Sequence, residues 1–65
     1  MTSEKKIIYF KMNMLQAEIE MQAMIAENNQ RYLEGKSMAY TEKDFMSLID
    51  RHRIGVNDFP YGEDN

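Results

Sequence analysis

The chain has 65 residues, no cysteine, 29% charged residues and a formal net charge of −3. That allows one small domain at most, and it excludes disulfides and thiolate-rich zinc sites as sources of stability, leaving self-association as the expected supplement. Acidic and basic residues are interspersed along most of the sequence, so no net basic face is offered to DNA, RNA or an anionic membrane.

The first segment, "MTSEKKIIYFKMNM", places two lysines before a short apolar run, as a signal peptide would. Lys11 and Asn13 interrupt that run and no small-residue cleavage site follows, so a cytoplasmic chain is expected. No apolar stretch is long enough to cross a bilayer. From Ser3 to Glu34 there is neither proline nor glycine, and Met, Leu, Gln, Ala, Glu and Lys predominate. These are good helix formers, so the sequence predicts one long helix over about 4–34, ended by Gly35 in the left-handed conformation. Within it, "KIIYF" also suits a strand, which leaves residues 5–11 open between the two.

A second helix is predicted over about 41–53. Thr41 is its cap, Asp44 stands three residues later, Glu42 adds charge to the first turn, and Tyr40 and Phe45 have the spacing of a hydrophobic staple. Arg51 and Arg53 suit its C-terminal carbonyls, with Gly55 just beyond. Residues 56–65, "VNDFPYGEDN", read as an irregular tail in which Phe59 and Tyr61 pack back on a helix while the final "GEDN" frays. The expected architecture is all-α: a helical hairpin in an oligomeric bundle.

The oligomer follows from the breadth of the first helix's apolar surface. At 100° per residue its apolar positions fall into two stripes. One holds Ile8, Met12, Leu15, Ile19, Ala26 and Leu33; the other holds Ile7, Phe10, Met14, Ala17, Met21, Met24, Ile25 and Tyr32. A thin seam of Lys11, Glu18 and Asn29 separates them, and Asn13, Gln16, Glu20, Glu27, Arg31 and Glu34 mark a solvent face. The second helix offers one side, Phe45, Leu48, Ile49 and His52, and at ~18 Å against ~45 Å it is too short to cover both stripes. The uncovered surface therefore predicts a self-interface drawn from Ile7, Ile8, Phe10, Met12, Met14, Leu15, Ile19, Met21, Met24 and Ile25. The simplest version is an antiparallel or crossed pair of long helices with the short helices outside. The pattern does not hold a strict heptad, which favours a bundle over an extended coiled coil. The seven methionines read as filling for irregular packing before they read as a promiscuous groove.

Catalytic readings do poorly. His52 is the only histidine and Ser47 lies well round the helix from it, so no nucleophile and base stand together. The tail lacks the alternating ligands, central glycine and closing glutamate of a calcium loop, and no cofactor or metal is expected. A DNA-reading second helix would carry Glu42, Asp44 and Asp50 where phosphates demand cations. The bend between the helices, "NNQRYLEGKSMAYTEKDF", is the one polar candidate for a ligand. A helix start suits an anion, and Asn28, Arg31, Tyr32, Lys36, Ser37, Tyr40 and Thr41 would supply donors and aromatic faces for a nucleotide. Capping by Thr41 and Asp44, the Tyr40 staple, Gly35 and a pairing of Arg31 with Glu27 or Glu34 explain the turn without a ligand, and leave Asn28, Arg31, Lys36 and Ser37 looking outward.

"IAENNQR" followed by "GKSMAYTEKDF", residues 25–45, resembles short proteins encoded by bacteriophages and other mobile elements. The resemblance implies a non-enzymatic inhibitor of a host protein or defence complex, working in the host cytoplasm. Its alternatives are a sponge that sequesters an anionic nucleotide signal, cyclic ones included, between protomers, and a small phage structural or assembly component.

Overall fold

The computed structural model describes residues 3–58 of the chain. As expected, the described chain is all-α, with two helices, α1 (Ser3–Leu33) and α2 (Glu42–Arg51), followed by a short 3₁₀ turn at Val56–Asp58. Among the described residues there is no strand, so "KIIYF" belongs to the helix. The absence of proline and glycine before residue 35 lets the ladder of good helix formers carry these branched and aromatic residues with it.

Both helices end in the same backbone device. At the end of α1, Gly35 has φ 73°. Its N–H donates to the Tyr32 carbonyl at 3.0 Å, and the Lys36 N–H donates to the Arg31 carbonyl at 2.8 Å. These are the two bonds of a Schellman motif, and they satisfy carbonyls that the helix leaves open. α2 repeats the motif with Arg53, whose φ is 55°: its N–H reaches the Asp50 carbonyl at 3.2 Å, and the Ile54 N–H reaches the Ile49 carbonyl at 3.0 Å. The second helix therefore stops at Arg51, two residues before the expected end at about 53. The residue that ends it is Arg53, and Gly55 serves the next turn, its N–H donating to Asp58 Oδ2 at 3.2 Å.

The start of α2 follows the sequence signals. Thr41 is extended at φ −98°, ψ 173°, and the Asp44 carboxylate accepts the Thr41 N–H at 2.8 Å and its hydroxyl at 3.2 Å. The first intrahelical bond, from the Phe45 N–H to the Thr41 carbonyl, is 3.1 Å long. Glu42 and Asp44 place negative charge on the first turn, where the helix dipole favours it.

Packing between the helices is sparse. Only Ala17, Met24 and Leu48 are buried among the described hydrophobic residues. Phe45, Ile49, His52 and Ile54 are half-buried around them, which matches the single apolar side expected of α2. The face of α1 beneath α2 differs from the expected one. It is rotated by about 50° from the middle of the second stripe, so that Asn13, Glu20 and Arg31, expected to face solvent, are half-buried. Ile7, Met14, Ile25 and Tyr32 of that stripe remain exposed instead. Two polar anchors account for the rotation: Glu20 holds the C-terminal end of α2, and Asn28 holds the bend. Val56 is exposed; Phe59 and Tyr61 lie outside the described residues. The result is an elongated body, 53 × 17 × 10 Å, in which a long helix carries a short one on part of one side.

Candidate functional site

At the bend, the Asn28 side chain is held by three hydrogen bonds to the loop. Its Nδ2 donates to the Tyr40 carbonyl at 2.9 Å, and its Oδ1 accepts the N–H groups of Ala39 and Tyr40, both at 3.0 Å. One amide thus replaces the missing backbone partners of an irregular loop. The remaining polar groups are largely paired as well. Arg31 Nε meets Glu27 Oε2 at 2.9 Å, Lys36 Nζ meets Glu34 Oε1 at 3.3 Å, and Gln30 donates to the Glu34 carboxylate at 3.2 Å. Thr41 belongs to the cap of α2, Tyr40 is half-buried, and Tyr32 and Ser37 are exposed. The structure thus gathers Asn28, Tyr40 and Thr41 into the bend and leaves Tyr32 and Ser37 on the outside. Glu27, Glu34, Glu42 and Asp44 surround the same region, and α2's first turn already holds a carboxylate where an anion would bind.

A second polar cluster had no sequence signal. Glu20 Oε2 lies 2.7 Å from Arg51 Nη1, and Glu20 Oε1 lies 2.7 Å from His52 Nε2. Hydrogen bonding from His52 and then from Arg51 holds the Glu20 carboxyl below its ordinary pKa of 4.5. With one acid and two donors, this cluster is an anchor between helices, and it offers neither a nucleophile nor a free base. Among the described residues, no group of three His, Cys, Asp or Glu side chains could hold a metal ion, and no helix is long and apolar enough to cross a membrane.

The apolar surfaces are the larger feature. A groove of about 480 Å³ runs along the α1–α2 junction, where Met14, Ala17 and Met21 face Phe45, Leu48 and Ile49, with Glu18 its charged rim. On the far side of α1, Ile8, Met12, Leu15 and Ile19 stand 56%, 51%, 58% and 63% exposed. This ridge lies roughly 170° round the helix from the residues that pack against α2. Of the other expected interface residues, Ile7, Met14 and Ile25 are exposed but lie beyond the Lys11 and Glu18 seam, away from the ridge, Phe10 and Met21 are half-buried, and Met24 is sealed within its own chain. Comparison of the chain with protein-family models, with curated proteins and with solved structures gives no match.

Proposed function

We propose that this protein is a non-enzymatic binding protein that works through the far side of α1. The observation that carries the reading is the Ile8–Met12–Leu15–Ile19 ridge: four large apolar side chains, each more than half exposed, in a row that no element of the described chain covers. Contiguous apolar surface of this kind marks an interaction site in a small soluble domain. The polar clusters support the same view, because their side chains are committed to holding the fold. The resemblance to short phage-encoded proteins adds a class of target for the homo-oligomer assembled on this ridge, a host protein or defence complex whose activity the bound oligomer would block.

The nucleotide sponge has less in its favour. Asn28, Arg31, Lys36 and Thr41 all have partners within the chain, so a phosphate would meet cations that already have carboxylates beside them.

The test is affinity capture with a tagged wild-type chain beside the Leu15→Asp variant, whose exposed position leaves the α1–α2 contact untouched. Retention of a macromolecule, the chain itself or another, that Leu15→Asp abolishes supports the proposal. Equal retention by both chains would place the binding elsewhere.

A further inference from the structure

We propose that the occupant of the ridge is a second copy of this chain, with its α1 antiparallel and Met12 of one protomer set against Leu15 of the other; this rests on the reading of the ridge as a binding surface. The spacing of Ile8, Met12, Leu15 and Ile19 is four, three and four, the step of a two-stranded seam, with Ile8 and Leu15 in one class of core position and Met12 and Ile19 in the other. Gln22 ends the apolar run, so the seam has a centre, midway between Met12 and Leu15. Turning a second helix about that centre sets Ile8 against Ile19 and overlaps the two helices over residues 3–24, ~33 Å.

Charge decides the direction. Lys11 and Glu18 flank the seam on the same edge, seven residues apart, and among the described residues neither has an ion-pair partner. In an antiparallel pair that edge meets its own copy, so Lys11 of each protomer comes beside Glu18 of the other, forming two ion pairs related by symmetry. The opposite edge brings Tyr9 to Gln16. In a parallel pair the same edge meets the other edge, so Lys11 faces Gln16 and Glu18 faces Ala23, and no opposite charges meet. The arrangement also leaves each protomer intact: Ala17 and Met24, buried beneath α2, lie diametrically opposite the seam, so the short helices sit on the two outer sides.

The chain has no cysteine, which permits a direct test of register. Full-length Ile8→Cys and Ile19→Cys variants are prepared singly and mixed, then treated with a bismaleimide too short to span ~16 Å, the distance between like positions in this arrangement. Cross-linking in the mixture, with little in either variant alone, is the expected result. Cross-linking of each variant with itself would overturn the register and leave the ridge as a self-binding surface. Sedimentation gives the second arm. Lys11→Glu and Glu18→Lys are each expected to raise the dimer Kd about tenfold, since two surface ion pairs become like-charge contacts. Mixing those two variants restores wild-type affinity in a heterodimer. A wild-type chain that stays monomeric at about 100 µM overturns the self-pairing. In that case, Leu15-dependent capture of another macromolecule would still uphold the binding role of the ridge.

Discussion

Glu20 and His52 meet across 32 positions of sequence, Oε1 to Nε2 at 2.7 Å. Together with Arg51 on the other carboxylate oxygen, this contact secures the C-terminal end of α2 to the middle of α1, where few apolar contacts are available to do so. A neutral imidazole protonated on Nε2 donates to the carboxylate as an imidazolium does, so the contact does not depend on a charged histidine.

The acid limb of the stability curve should depend on Glu20. Its folded pKa is held below the ordinary 4.5, first by the hydrogen bond from His52 and then by that from Arg51. A carboxyl with a depressed folded pKa contributes stability that is complete above its unfolded value and is lost as pH falls through the folded one. Thermal unfolding of the wild-type chain is therefore expected to show a Tm that declines below about pH 4.5. In Glu20→Gln the Tm should be lower at neutral pH and should decline less steeply in acid. Parallel declines in the two proteins would show that other carboxylates set the acid limb.

Asn28 should matter to the bend more than its half-exposed position suggests. Asn28→Ala removes three hydrogen bonds at once and leaves two N–H groups and one carbonyl of the loop to find other partners. A cost of about 1–3 kcal/mol in urea-induced unfolding is expected. Asn28→Asp keeps the acceptor for Ala39 and Tyr40 but sets a carboxylate oxygen against the Tyr40 carbonyl where the amide donated, so it too should be less stable than wild type. An alanine variant as stable as wild type would mean that solvent replaces these bonds without loss.

Much of the architecture was legible because it is written in local chemistry. Gly35 after a long run without glycine or proline, and Thr41 with Asp44 before an apolar face, each specify a boundary through neighbours only a few residues apart. The end of α2 was not legible, because Arg53 in the left-handed region departs from the usual residue preference and the glycine two residues on is the stronger sequence signal. The face of α1 that receives α2 lies about 50° from the one that apolar periodicity indicates, for a related reason. Glu20 looks like a solvent residue until Arg51 and His52 arrive from far along the chain, and Asn28 looks outward until the loop closes on it. Apolar periodicity located the two stripes, whereas long-range polar contacts chose where between them the short helix would sit.

The two helix ends give predictions of opposite sign. Gly35→Ala places a Cβ in open space, yet φ 73° makes it strained, and a loss of about 1 kcal/mol is expected. At Arg53 the strain is already present, so Arg53→Gly should relieve about 1 kcal/mol, reduced by the loss of a cation near the C-terminal carbonyls of α2. Equilibrium unfolding of the two variants should thus show Gly35→Ala below wild type and Arg53→Gly at or above it. A clear destabilisation by Arg53→Gly would assign the side chain a role that outweighs its backbone strain.

Leu48 and Leu15 provide the sharpest comparison, because the same substitution should separate folding from association. Leu48 is 5% exposed and is the one buried residue that α2 contributes to the core it forms with Ala17 and Met24. Leu48→Ala is expected to cost about 2–4 kcal/mol, which, with so few buried partners, should release α2 from α1 even where α1 stays helical. Leu15 is 58% exposed on the opposite side, so Leu15→Ala removes no contact with α2. Its effect should appear in association alone: a rise in Kd at unchanged stability when unfolding is followed at concentrations well below the wild-type Kd. Circular dichroism at low concentration and sedimentation at high concentration make the comparison. If Leu15→Ala instead unfolds the dilute chain as readily as Leu48→Ala does, the far side of α1 is part of the monomer's own core, and its assignment as a binding surface fails.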